Sequence, residues 1–236
     1  MGRKAYVETF DDGPGGWLGW IAGWVGPRKL DIVGGAARTQ PPWGVDLNHV
    51  PPGAGYLHLP YVLTTRPHRW PELSGPHRFV EGGFSTDFIN ARLTVRIRGE
   101  IDMKGAEMML LVQTDIPRER ANVRPNSVLK AQPIRIERQW TEQTLTLAPE
   151  EEQWLCMGTR GPVADCPFYG YAPIEQVLRD VNIDIILVIF GLDVRPAVPV
   201  DGDPHLLLAG KDWQIDESRL PSGHIELDTV RIEYPA

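Results

Sequence analysis

The strongest constraint on the fold is a series of short runs in which apolar and polar residues alternate. Leu93, Val95 and Ile97 alternate with threonine and arginine residues in the clearest of these runs. Side chains two residues apart share one face of a β-strand, so such a run has one face for the core and one for solvent. Ile134–Arg138 and Thr141–Leu147 show the same alternation. The pattern predicts an all-β fold of antiparallel strands packed as a β-sandwich.

Two further runs, Met108–Thr114 and Ile183–Phe190, are apolar on both faces. Strands buried on both faces read as continuous apolar runs, so these two are predicted to be central strands. A single stretch has helical spacing. Apolar residues recur every three or four positions after Pro173, which suits a first helical turn, and the pattern predicts one short helix near residues 173–181.

The chain contains 24 glycines and 22 prolines among 236 residues, and no internal repeat is visible. This composition is typical of many turns between short strands. The longest connections are Gly26–Gly55, Thr64–Gly83, Ile116–Pro133, Leu155–Ala172 and Val194–Gly223. They contain aromatic residues, which an interdomain linker rarely does, so the sequence predicts a single domain over residues 1–236 with long loops.

A formal net charge of -7 argues against a nucleic-acid partner, because phosphate binding depends on clustered lysine and arginine. No apolar run approaches the ~20 residues that a membrane-spanning helix needs, so no membrane partner is expected. The Met1–Lys4 start is not followed by an apolar segment, and a secretory signal is therefore not visible. We expect a cytoplasmic protein unless a signal was trimmed.

The two cysteines are Cys156 and Cys166. They could close a short disulfide loop in an oxidising compartment, whereas in the cytosol they would be inert thiols. Two cysteines without a clustered histidine are a weak indication of a metal site.

Both ends of the chain resemble galactose-binding-like jelly-roll domains. Val7–Trp17 is similar to their first strand, in which an acidic phrase is followed by tryptophan, and Ile225–Ile232 is similar to their last. Gly55–Leu59 and Phe88–Leu93 extend the resemblance to laminin IV (laminin B) domains and related carbohydrate-binding modules. The resemblance implies a jelly roll that binds a saccharide.

The same resemblance implies that the first strand, near Tyr6–Phe10, lies beside the last, near Ile225–Tyr234. In such jelly rolls a structural Ca²⁺ often joins these two strands. Calcium prefers hard oxygen ligands, and the matching candidates here are Glu8, Asp11 and Asp228. The alternative is a solvated acidic turn whose carboxylates bond to nearby backbone.

The segment Pro41–Leu59 concentrates side chains that a scaffold alone does not require. Aromatic rings stack on sugar rings, and a few oriented polar groups bond to the hydroxyls. Arginine pairs well with a carboxylate or sulfate on a sugar. The candidate ligand-binding residues are Trp43, Asp46, Asn48, Tyr56, His58 and Arg96.

Two alternatives to a saccharide-binding domain stay open. In a polysaccharide lyase, His49 or His58 would be the general base and Tyr56 the proton donor. The acids to consider for a glycoside hydrolase are Asp46, Asp87 and Glu107. The second alternative is a structural or protein-interaction domain, in which His58 is a half-buried histidine and the arginines near Leu93 form a solvated strand face.

Overall fold

The computed structural model describes residues 5–22, 25–45, 56–67, 70–119, 122–157, 170–202, 207 and 209–235. Two antiparallel sheets pack face to face as a jelly-roll β-sandwich. Strands make up 44% of the described residues and helices 10%, which confirms the predicted all-β class.

The first sheet has six strands. They are β1 (Tyr6–Glu8), β4 (Asp31–Val33), β5 (Ala36–Thr39), β7 (Arg92–Asp102), β10 (Thr141–Thr146) and β13 (Ser222–Glu233). Their order is β10-β7-β13-β5-β4, and β1 also pairs with β13. Because β7 pairs along almost the whole of β13, β1 and β5 lie end to end along the other side of that strand.

The second sheet has seven strands. They are β2 (Trp17–Ala22), β3 (Gly26–Arg28), β6 (Tyr56–Thr64), β8 (Glu107–Gln113), β9 (Asn126–Leu129), β11 (Trp154–Met157) and β12 (Asp184–Leu192). Their order is β11-β9-β8-β12-β6-β2-β3. The two runs that are apolar on both faces form β8 and β12, in the middle of this sheet, as predicted.

The first and last strands lie side by side, which confirms the prediction drawn from the chain ends. Tyr6 is opposite Ile232 and Glu8 is opposite Val230 in an antiparallel pair. Tyr6 and Phe10 are fully buried, so the N-terminal segment supplies part of the core and does not simply border it.

The predicted helix is present as α3 (Ile174–Arg179), with its apolar residues buried. The structure adds two helices of four residues, α1 (Pro71–Ser74) and α2 (Arg78–Glu81), within a connection expected to be a loop. Single 3₁₀ turns occur at Glu151–Gln153 and Glu217–Arg219. No helix in the described parts of the chain is long and apolar enough to cross a membrane.

Several predictions about strands were wrong. β3, β4 and β5, and likewise β9, lie within segments that were expected to be long connections, because strands of three or four residues are too short to show alternation. Ile134–Arg138, in contrast, is not a strand. It touches the sheet at one isolated bridge between Ile134 and Met108, and the backbone N–H of Arg135 donates to the side chain of Gln143.

The main core lies between the sheets, and Tyr61 connects them there. Its hydroxyl lies 2.9 Å from the carbonyl oxygen of Ala37 in β5 and 3.0 Å from that of Ile225 in β13. Tyr61 itself belongs to β6, in the other sheet. Burial, with Glu226 nearby, raises the pKa of Tyr61 well above its ordinary value, so the hydroxyl stays protonated and donates.

A second apolar cluster lies on the outer face of the seven-stranded sheet. Its buried members alternate along the strands with residues of the main core. They are Leu18, Leu57, Leu59, Val62, Met109, Leu111, Val128, Met157, Ile186 and Val188. The seven-stranded sheet is therefore apolar on both faces, and the polar outer face belongs to the six-stranded sheet.

Candidate functional site

Trp43 and His58 meet inside the sandwich. Their ring centroids are 5.0 Å apart, and the indole N–H of Trp43 donates to the carbonyl oxygen of Pro221 at 2.5 Å. His58 is 1% exposed, and its Nδ1 lies 2.7 Å from the carbonyl oxygen of Gly44. The structure brings these two predicted residues together, but in the interior and not in an open cleft.

The other predicted residues of this segment divide into two groups. Tyr56 is half-buried at the start of β6 and packs against both apolar clusters. Asp46, Asn48 and His49 lie outside the described residues. His58 does not reach solvent and His49 lies outside the described residues, so the His49, Tyr56 and His58 set that a lyase would require stays a prediction.

The acids considered for a glycoside hydrolase are also dispersed. Asp46 lies outside the described residues. Asp87 accepts a hydrogen bond from the backbone N–H of Ile89 at 3.2 Å, in the turn before β7. Glu107 is exposed at the first position of β8, opposite Phe190 in β12.

Arg96 lies on the other sheet from Tyr56 and His58. It occupies the outer face of β7, because its neighbours Val95 and Ile97 point into the core. Its Nη1 donates to Oδ2 of Asp228 at 2.7 Å. Arg96 therefore does not lie beside Tyr56 and His58, which could not be predicted because sequence alternation does not show which sheet a strand joins.

The outer face of the six-stranded sheet carries the densest polar arrangement in the described part of the chain. We call it the arginine face. It consists of Arg38, Arg96, Arg98, Trp140, Glu226 and Asp228. The register of β7, β13 and β5 places Glu226 directly between Arg98 and Arg38.

Glu226 binds both of its arginine neighbours. Its Oε1 accepts from Nε and Nη2 of Arg38 at 2.9 and 2.5 Å, and its Oε2 accepts from Nε of Arg98 at 2.6 Å. The Glu226 side chain is 3% exposed. Burial alone would raise the pKa of Glu226, but the hydrogen bonds from Arg38 and Arg98 outweigh it and hold that pKa below its ordinary value.

Trp140 lies beside two of these arginines. The guanidinium carbon of Arg98 is 4.4 Å from the centroid of the indole ring, and that of Arg96 is 4.9 Å away. Both distances are within the range of a cation–π contact. Trp140 is half-buried, so part of the ring meets solvent beside the guanidinium groups.

On this face, the sequence pattern indicated Arg96 as a ligand candidate and Asp228 as a metal ligand, with Arg98 on the same side of its strand as Arg96. It did not indicate Arg38, Trp140 or Glu226. A usable signal was present in the last strand, where Glu226 and Asp228 alternate with buried Ile225 and Leu227. That alternation predicts acids on the same outer face as the β7 arginines, provided that the two strands are neighbours.

At the seam between β1 and β13, Glu8 is completely buried. Its Oε1 accepts from Nη1 of Arg78 at 2.5 Å and from the backbone N–H groups of Thr9 and Phe10. Burial raises the pKa of Glu8 above its ordinary value, although those backbone bonds and the Arg78 charge act in the opposite direction. Nη2 of Arg78 also donates to the carbonyl oxygen of Asp12 at 3.1 Å.

These residues do not fit the calcium site that the family resemblance implies. Glu8 faces the core, whereas Asp228 lies on the arginine face with Arg96, so the two carboxylates lie on opposite faces of the sheet. Asp11 is exposed and lies near Gly35. Among the described residues, no three acidic, histidine or cysteine side chains form a group that could hold a metal ion.

Cys156 is half-buried in β11 and forms no disulfide within the described residues. Burial raises the pKa of this thiol, which keeps it protonated and unreactive near neutral pH. Cys166 lies outside the described residues, so a bond between the two cysteines stays a prediction.

No protein-family model and no curated protein sequence matches the chain. Several solved structures, among them the following two, are loosely similar. One comes from a study of the solution structure, dynamics and binding of CtCBM11, with 8% identity, coverage of 100% of this chain and 86% of that chain, and a TM-score of 0.35. The other comes from work on endo-acting O-glycanases that human gut microbiota express to initiate mucin breakdown, with 12% identity, coverage of 98% and 99%, and a TM-score of 0.42. Similarities this weak carry no argument about function.

Proposed function

We propose that this protein binds a saccharide that carries carboxylate or sulfate groups, on the arginine face of the six-stranded sheet. The observation that carries the proposal is the placement of Arg96 and Arg98 against the half-exposed ring of Trp140. A flat aromatic surface next to fixed donors is the combination that a saccharide site needs.

The arginines are held in place but keep donors for a ligand. Arg98 bonds to Glu226 through Nε, and Arg96 bonds to Asp228 through Nη1. Within the described residues, Nη1 and Nη2 of Arg98 make no hydrogen bond. A planar guanidinium can therefore direct two parallel N–H groups at a carboxylate or sulfate.

The arginine face is less acidic than the chain as a whole. It has three guanidinium groups and two carboxylates, with Glu142 exposed opposite Arg96, whereas the chain has a formal net charge of -7. Attraction of an acidic saccharide to this protein would therefore depend on these residues and not on a general excess of basic charge. Glu226 and Asp228 can also accept hydrogen bonds from sugar hydroxyls.

The test is a binding panel of neutral, uronate-containing and sulfated polysaccharides, with wild type, Arg98→Ala and Trp140→Ala. We expect wild type to prefer an acidic member, and each substitution to weaken that binding at least about tenfold, or about 1.4 kcal/mol. Binding would be measured by calorimetry, with circular dichroism to verify the fold.

Arg92→Ala is the matched control, because Arg92 lies on the same strand and the same face but outside the arginine face. It should change the affinity by less than about twofold. No binding to any saccharide in the panel, or equal binding by wild type and both test variants, would overturn the proposal. In that case a structural or protein-interaction role would be favoured.

A further inference from the structure

We infer that Arg78 serves as the cation of the β1–β13 seam, so that the seam needs no calcium and a divalent-cation site arises there only when Arg78 is removed. The inference goes beyond saccharide binding, and it rests on residues on the other side of the sheet from the arginine face.

The guanidinium of Arg78 lies between two oxygen atoms, as a bound metal ion would. Its Nη1 is 2.5 Å from Oε1 of Glu8, and its Nη2 is 3.1 Å from the carbonyl oxygen of Asp12. A carboxylate and a backbone carbonyl are the ligand types that calcium prefers. The guanidinium satisfies both with directed N–H bonds, and a metal ion could not occupy the same space.

Glu8 requires a cation at this position. Its side chain is 0% exposed, and its Oε2 accepts no hydrogen bond within the described structure. The Arg78 side chain is 30% exposed and closes the site towards solvent. Loss of one partner of a buried ion pair leaves an uncompensated charge, which is strongly destabilising.

The backbone around the site fits closely around Glu8. A side chain at Gly15 would place its Cβ 1.8 Å from Oε2 of Glu8, and Gly15 has a φ of 60°. The carbonyl oxygen of Gly15 also accepts from the backbone N–H of Arg78 at 3.3 Å, which positions the start of α2. The turn after β1 and helix α2 are therefore arranged to present a guanidinium to a buried carboxylate.

The experiment measures melting temperature with EDTA and with Ca²⁺ added to millimolar concentration, for wild type, Arg78→Ala and the double variant Glu8→Gln/Arg78→Ala. We expect wild type to melt at the same temperature under both conditions. Arg78→Ala should melt about 5–15 °C lower in EDTA and recover part of that loss in Ca²⁺. The double variant should show no recovery, because it lacks the carboxylate.

Three results would overturn the inference: a rise in the wild-type melting temperature with Ca²⁺, a melting temperature of Arg78→Ala equal to that of wild type, or no recovery of Arg78→Ala with Ca²⁺. If Arg78→Ala does not fold in EDTA, Arg78→Lys replaces it. Lysine keeps the charge but loses the second donor direction, so Arg78→Lys should lose less melting temperature than a neutral substitution, and Ca²⁺ should not raise it because the ammonium already neutralises Glu8. A melting temperature of Arg78→Lys that rises with Ca²⁺ contradicts the inference.

Discussion

At the residue scale, Glu226 is the side chain on which the arginine face depends. It lies between Arg38 and Arg98 and binds one with each carboxylate oxygen. Without it, the guanidinium groups of Arg38 and Arg98, on the two strands that flank β13, would repel each other. The same carboxylate therefore stabilises the sheet and orients the arginines that are proposed to bind ligand.

Glu226→Gln should destabilise the protein by about 1–3 kcal/mol at pH 7, because charge-assisted hydrogen bonds to two arginines are lost. The pKa of Glu226 is lower in the folded protein than in the unfolded chain. The charged carboxylate of Glu226 therefore stabilises the folded protein fully above the ordinary glutamate pKa. This stabilisation is lost as the pH falls through the pKa of Glu226 in the folded protein. The difference between wild type and Glu226→Gln should shrink progressively below about pH 4.5.

Urea unfolding at several pH values between 7 and 3 measures this difference. Glu142→Gln is the control, since Glu142 is exposed on the same side of the sheet, opposite Arg96. Glu142→Gln should lower the free energy of unfolding by less than about 0.5 kcal/mol at every pH. A difference for Glu226→Gln that stays constant from pH 7 to pH 3 would contradict the assigned pKa direction.

At the scale of the elements, β6 shows how a single proline changes which face of the sheet the side chains of a strand point to. Pro60 cannot donate to the ladder, and the register with β12 shifts between the pairs made by Tyr61 and His58. Leu59 points outward and Tyr61 inward, although they are two residues apart. The irregularity allows His58 and Tyr61 both to face the core.

Tyr61→Phe tests the connection that β6 makes between the sheets. Loss of the hydroxyl leaves the carbonyl oxygens of Ala37 and Ile225 without this donor. We therefore expect the free energy of unfolding to fall by about 1–2 kcal/mol. Chemical denaturation measures it. Tyr171→Phe, at an exposed tyrosine, should be neutral within about 0.5 kcal/mol. Equal stability of Tyr61→Phe and wild type would mean that the hydroxyl does not tie the sheets together.

The elements that could be predicted are those whose pattern is uninterrupted. β7 and β10 alternate regularly, so their sequences identify strands with one solvent-exposed face. β8 and β12 are continuously apolar, so their sequences identify strands buried on both faces. The inward position of His58 could not be predicted, because β6 is apolar on both sides and Pro60 interrupts its alternation.

The candidate site was less predictable than the fold because it depends on strand order. Arg38 and Arg98 are 188 and 128 residues from Glu226 along the chain. Each residue alone is an ordinary charged position on a strand. Only the pairing of β7, β13 and β5 makes them a cluster, and the sequence does not reveal which strands become neighbours.

At the scale of the whole molecule, the two sheets differ in what they expose. The seven-stranded sheet carries buried apolar residues on both faces, whereas the six-stranded sheet has one polar face. Because the chain is acidic overall, long-range electrostatics oppose an anionic ligand and only short-range contacts attract it. The salt dependence of acidic saccharide binding should therefore be shallower than that of a strongly basic protein.

The antiparallel pairing of β1 with β13 also determines how the molecule resists mechanical force. Both strands leave the pair at the same end, where Tyr6 is opposite Ile232. Tension between residues 5 and 235 therefore opens the pair one rung at a time, whereas tension between residues 5 and 222 loads all its hydrogen bonds together. In optical tweezers, β1 should detach at a lower force with the first pair of anchors. Equal forces would contradict this geometry. The register of β1 with β13 thus makes their resistance to force depend on the direction of pulling.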